Sequence, residues 1–143
     1  MKPSHILRTA TTIALVFLAL LIPSIATADL TGEWEGIYRY SNQDSKPVRF
    51  QLDLKDRHGR LTGHTSEHNT FGDPSAPFLH ANIMGSVEDD RVYFKKTYDG
   101  TGGQHHSIKY EGALYEDIST IKGAWECCNG LYGTFDMQLK NGQ

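Results

Sequence analysis

The sequence predicts an all-β protein, an eight-stranded antiparallel up-and-down barrel preceded by an export leader. Three observations predict it. Apolar and polar residues alternate with period two over almost every segment after residue 31, and none of these segments has helical periodicity. Clusters of turn-forming residues separate the segments at short intervals. The apolar faces of neighbouring segments also agree across several of the turns, as one continuous sheet requires.

The leader is residues 1–28. Lys2 and Arg8 give it a positive start, "TTIALVFLALLIP" is an apolar run of secretory length, and Ala26-Thr27-Ala28 suits signal peptidase. The run falls short of the roughly 20 apolar residues of a membrane span. No Leu-x-x-Cys lipid-attachment pattern is present. The expectation is a signal peptide over 1–28, a single barrel domain over 29–143, and a secreted or periplasmic product starting at Asp29. The leader holds two of the 14 basic residues and none of the 17 acidic ones, so the remaining 115 residues carry a net charge of −5. That balance argues against nucleic acid or an anionic membrane surface as a partner.

The strands are expected at 32–40, 47–55, 60–68, 80–87, 91–98, 107–115, 119–127 and 133–140. The second shows the pattern most plainly: Val48, Phe50, Leu52 and Leu54 on one face, Arg49, Gln51, Asp53 and Lys55 on the other. In the third, Leu61 faces in and carries Thr65 and Glu67 with it. Val87 of the fourth agrees with Val92 of the fifth, where Phe94 brings Lys96 and Tyr98 inward. Tyr110 and Gly112 share the inner face of the sixth with Ile108, and Leu114 agrees with Ile121 of the seventh. Gly123 and Trp125 face in from the seventh, and Phe135 from the eighth. Turn signals lie between, from "SNQDSKP" to "NG". Closing the sheet removes its exposed edges; an open sandwich shares the same alternation.

The only cysteines, Cys127 and Cys128, are adjacent. If Trp125 and Phe135 both face inward, the last hairpin needs an odd loop. Asn129-Gly130-Leu131 supplies it, with Gly130 in the left-handed position, Cys127 inward near Gly133 and Cys128 outward near Tyr132. Neighbouring α-carbons are about 3.8 Å apart, whereas disulfides usually span about 4.4–6.8 Å. A vicinal disulfide, two free thiols, and an intermolecular bond through Cys128 all remain open.

Several segments together carry a family likeness: "LTGEWEG", "GRLTGHTSE", "IKYEGAL", "IKGAWE" and "GTFDMQL". In this order, across nearly all of the chain after the leader, they resemble the avidin-like and lipocalin-like barrels. The resemblance implies a ligand pocket inside one end of the barrel, with Trp34 and Trp125 at tryptophan positions and Tyr110 where the family has another tryptophan. The polar positions of the biotin site do not match. Gly36 falls where an asparagine would help hold the head group, and Tyr40 where a serine would. Thr65 and Glu67 replace a tyrosine and a serine, and His106 replaces a serine.

Strand parity nominates a lining independently: Thr65, Glu67, Lys96, Tyr98, Tyr110 and Trp125, with glycines leaving room. Aromatics with polar tips and a few polar groups suit a small-molecule site. A charge inside a barrel is costly unless paired. Lys96 and Glu67 are therefore expected to pair with each other, to hold a ligand carboxylate through Lys96, or to reach water at the mouth. No metal site is expected. His64 and His68 share a face but lie about 13 Å apart at 3.3 Å per residue, and His105 and His106 point opposite ways if extended. There is no nucleophile elbow, phosphate-cradling loop or cofactor fingerprint. The expected function is binding of a small, anionic or aromatic molecule in the barrel mouth, with no cofactor; catalysis, with Glu67 and Lys96 or His106 as acid and base, ranks third, behind the alternative that follows. The alternative is an interaction module, such as a hydrolase inhibitor, acting through loops 69–79 and 99–106. Phe71 and Phe78 in the first of these loops suit a lid or a docking surface.

Overall fold

The structure is a computed structural model that describes residues 28–115 and 117–140. The expected leader lies outside the described residues except for Ala28. Eight strands follow in order: β1 (Gly32–Tyr40), β2 (Val48–Arg57), β3 (Arg60–His68), β4 (Phe78–Glu88), β5 (Arg91–Tyr98), β6 (Ser107–Leu114), β7 (Thr120–Cys127) and β8 (Tyr132–Leu139). Each pairs antiparallel with the next, and β1 pairs with β8 from Trp34↔Leu139 to Tyr40↔Gly133. That last ladder closes the sheet into a barrel and excludes the sandwich.

Alternation places the side chains as expected. Val48, Phe50, Leu52 and Leu54 are buried, and Arg49, Gln51, Asp53 and Lys55 are exposed. An apolar interior inside a polar wall is the reverse of a barrel whose outside faces lipid. Val87 opposes Val92 and Leu114 opposes Ile121, as parity requires. Two strands run longer than the sequence suggests. β2 and β3 continue to a two-residue turn, His58-Gly59, in which both residues have positive φ (56° and 80°). Such a turn matches the strand twist and lets pairing run to its edge. The Asp56 carboxylate secures it by accepting from Gly59 N at 2.8 Å. β4 begins at Phe78, inside the expected loop.

The last hairpin differs from expectation. Trp125 faces Gly133, and Phe135 faces Gly123. The loop has three residues, but it is Cys128-Asn129-Gly130, closed by Cys127 N donating to Leu131 O at 2.8 Å. Asn129 and Gly130 both take left-handed backbone (φ 61° and 74°), so the turn begins one residue earlier. The register shifts by two and every face is kept. Packing explains the choice, since the Trp125 ring lies over Gly133 as the Phe50 ring lies over Gly36. A Cβ at Gly133 would sit 2.7 Å from the Trp125 indole nitrogen, and one at Gly36 would sit 2.2 Å from the Phe50 ring.

The barrel has two unlike ends. At one, Leu30 folds across the opening before β1 and is completely buried. The Trp34 indole N–H donates to Leu30 O at 3.0 Å, and Leu30 N donates to Asp56 Oδ2 at 3.3 Å. Leu54, Leu61, Val92, Ile121 and Met137 fill the space above this plug. The other end is framed by the β1–β2, β3–β4, β5–β6 and β7–β8 loops.

Candidate functional site

Inside the open end lies a polar cluster. β3 contributes Glu67 and β5 contributes Lys96, two strands apart and both facing in. Their side chains are 0% and 2% exposed, and Lys96 Nζ donates to Glu67 Oε2. Lys96 Nζ also donates to the Tyr98 hydroxyl at 3.1 Å. Glu67 Oε1 accepts from the hydroxyls of Tyr98 and, at 3.2 Å, Tyr38. The ammonium lies 4.6 Å from the Tyr98 ring centre and 5.3 Å from that of Tyr38. Three donors on the carboxylate and two acceptors around the ammonium supply what water would otherwise give a buried pair. Of the three expected arrangements the structure shows the paired one; neither charge reaches the water at the mouth.

Burial controls the titration of the cluster. Desolvation lowers the Lys96 pKa, while the Glu67 charge and hydrogen bond oppose it. Burial first, and then the Glu67 charge, raise Tyr38 and Tyr98 far above the usual phenol range. Both tyrosines are therefore neutral donors at physiological pH.

Above this floor is a cavity of about 320 Å³. Tyr38, Tyr40, Tyr98, Tyr110 and Trp125 wall it, and Phe71 of the β3–β4 loop overhangs it. The rings brace one another: Tyr40 meets Trp125 edge-on at 5.2 Å and Tyr38 meets Trp125 at 5.9 Å. Trp125 Nε1 donates to Arg39 O at 3.1 Å, which fixes the indole across the wall. Tyr110 stacks on Phe94 at 4.6 Å, and burial raises its pKa well above normal. His106 packs against Tyr98 at 4.8 Å. Burial and the Lys96 charge lower the His106 pKa, with Glu67 opposing them.

The overhang is built by one side chain. Asn69 Oδ1 accepts from Gly72 N at 2.6 Å and Phe71 N at 3.2 Å, and its Nδ2 donates to Asp73 O and Ala76 O. Asp73 N donates to Gly102 O at 2.9 Å, which ties this loop to the β5–β6 loop. Phe71 is thereby set 5.7 Å from Tyr98 and 6.0 Å from His106. Phe78 does not join it. It starts β4 on the outer wall, packed against His68 with ring centres 4.6 Å apart and the rings tilted by 31°.

Cys127 and Cys128 stand at the rim as thiols, with sulfurs 3.0 Å apart. Cys127 Sγ donates to Ser107 O at 3.6 Å, and burial pushes its pKa up to about 11, helped by Cys128. Among the described residues, no three His, Cys, Asp or Glu side chains converge as a metal site would need.

The structure thus brings together Glu67, Lys96, Tyr98, Tyr110 and Trp125. It separates two expected lining residues from them. Trp34 shares their inner face but belongs to the closed end, where its indole binds the plug. Thr65 lies one inward position below Glu67, packed between Leu52 and Ala81, and its Oγ1 is buried without a hydrogen-bond partner. Tyr38, Tyr40 and Ile108 line the cavity although sequence reasoning did not nominate them. For Tyr38 and Tyr40 the signal was present, since both alternate in phase with Trp34.

No family model matches the chain, and no curated protein is significantly similar to it in sequence. The fold, however, has solved counterparts. The chain is similar to a redesigned β-barrel at TM-score 0.59 and 15% identity, over 78% of this chain and 92% of that one. It is also similar to a de novo designed fluorescence-activating β-barrel at TM-score 0.55 and 13% identity, over 77% and 93%. At such identities the likeness is one of architecture: this chain is a closed, eight-stranded antiparallel barrel.

Proposed function

We propose that this protein is an exported small-molecule-binding barrel that holds its ligand in the open end, in the manner of avidin-like and lipocalin-like barrels but without the biotin-binding polar set. One observation carries the reading: one end of the barrel is packed solid while the other keeps an aromatic-walled cavity of about 320 Å³ over a satisfied polar floor. A barrel serving only as a scaffold for its loops gains nothing from that void, which forgoes packing contacts. Apolar walls with a few fixed polar groups are the usual make-up of a small-molecule site.

Native mass spectrometry of the protein purified from its own source tests this. The expected spectrum contains a small-molecule adduct that survives gentle transfer and is lost when Ile108→Trp fills the cavity. Bare protein in every preparation would count against the reading and turn attention to the rim. There Phe71 and Leu131, 41% and 48% exposed, offer a protein partner apolar contacts. N-terminal sequencing of the exported form tests the export reading, with Asp29 as the expected first residue.

A further inference from the structure

The ligand class follows from which charges reach the cavity. None of its eleven lining residues is Asp, Glu, Lys or Arg. The two charges nearest it, Lys96 and Glu67, neutralise each other beneath the rings of Tyr38 and Tyr98. His106 is the one imidazole in the lining, and burial, with the Lys96 charge, favours its uncharged form. An ion entering this space would give up its hydration and meet no counter-charge. Lys96 cannot turn to a carboxylate ligand without leaving Glu67 buried and unpaired. An uncharged ring loses nothing comparable, and it gains edge and face contacts with Tyr40, Trp125 and Tyr110. The Tyr110 hydroxyl stands outside the floor network and offers a polar ligand atom a partner.

We propose that the mouth cavity selects an uncharged planar aromatic molecule bearing a hydroxyl or carbonyl group, and discriminates against both anions and cations of the same shape. This rests on the ligand-binding reading above. It replaces the anionic ligand among the expectations from sequence.

Three naphthalene probes of one size test it by isothermal titration calorimetry at pH 7.5: 2-naphthol, 2-naphthoate and protonated 2-naphthylmethylamine. The full exported chain and its Ile108→Trp variant are each titrated. The expected result is that 2-naphthol binds, that both ions bind at least tenfold more weakly, and that Ile108→Trp abolishes the binding. Tyr110→Phe should weaken 2-naphthol about tenfold, the scale of one hydrogen bond. Naphthoate or the amine binding as tightly as 2-naphthol, with Ile108→Trp still blocking it, would overturn the charge selection and leave the site standing. Binding of no probe at millimolar concentration, or binding indifferent to Ile108→Trp, would overturn the site itself.

Discussion

The two ends of this barrel use the same materials differently. Each holds a tryptophan whose indole N–H donates to a backbone carbonyl: Trp34 to Leu30 at the closed end, Trp125 to Arg39 at the open one. At the closed end the acceptor belongs to a plug that shuts out water, and aliphatic side chains fill the space above it. At the open end the acceptor belongs to the wall, the neighbours are tyrosines, and a void remains. The difference teaches where each kind of free energy resides. The closed end stabilises the fold by area removed from water. The open end holds its polar groups in a closed hydrogen-bond circuit, so that they orient a cavity without destabilising the barrel.

The largest effect expected is from breaking that circuit. Lys96→Met leaves Glu67 buried without its cation and should cost about 3–5 kcal/mol. The Lys96→Met, Glu67→Gln double variant should recover much of this loss, because no lone charge remains. Urea unfolding of both variants measures it, and a change under 1 kcal/mol for Lys96→Met would mean that the ammonium reaches water after all. Next comes the closed end. Leu30→Ala should cost about 2–4 kcal/mol, as large-to-small core changes do, while leaving probe affinity at the mouth unchanged. Loss of affinity in that variant would erase the division of labour between the ends.

Smaller effects sharpen the comparison at its boundary. Thr65 separates the two regimes, with a hydroxyl that is buried and unpartnered. Thr65→Val should stabilise the protein by about 1 kcal/mol, since an unmet buried hydroxyl is a cost that the isosteric methyl lacks. Cys127→Ala with Cys128→Ala should change stability by less than about 1 kcal/mol, because even an oxidised adjacent pair closes almost no loop. A loss near 3 kcal/mol would show that the pair constrains the chain. The smallest effect belongs to His106, which faces Lys96, Glu67 and Tyr98. Its pKa is lowered on folding, so below about pH 6.5 the unfolded chain takes up the proton more readily. Its contribution is present above that pH and lost as pH falls. His106→Gln should flatten this part of the stability profile; an unchanged slope would assign it to other groups.

The fold was legible because one inner face per strand is enough to reveal period two, and Val87–Val92 and Leu114–Ile121 then lock neighbours in phase. The last register was not. A three-residue loop beginning at Cys128 or at Asn129 keeps every face, and only the fit of Trp125 over Gly133 decides between them. The site was half legible for a related reason. Alternation assigns a side chain to a face but not to a height along the barrel axis. Lys96, Glu67, Tyr98, Tyr110 and Trp125 were correctly gathered inside, but Trp34 and Thr65 share their face at lower levels. The Asn69 staple that sets Phe71 above the cavity depends on a fold of the loop that periodicity cannot register.

The ladder between β1 and β8 sets the order of events in the life of the chain. Seven pairings join segments that follow one another, and each can form as soon as its hairpin is complete. The eighth joins Trp34 to Leu139, and nearly the whole domain lies between them. Its ends must be brought together across the longest loop in the molecule, an entropic cost met before the pairing repays it. Until β8 is in place, β1 and β7 each present an unpaired edge, the feature through which β-proteins aggregate. A ribosome delivers β8 last. The hazardous interval therefore extends to the end of synthesis, and a chain that stops before residue 132 never leaves it.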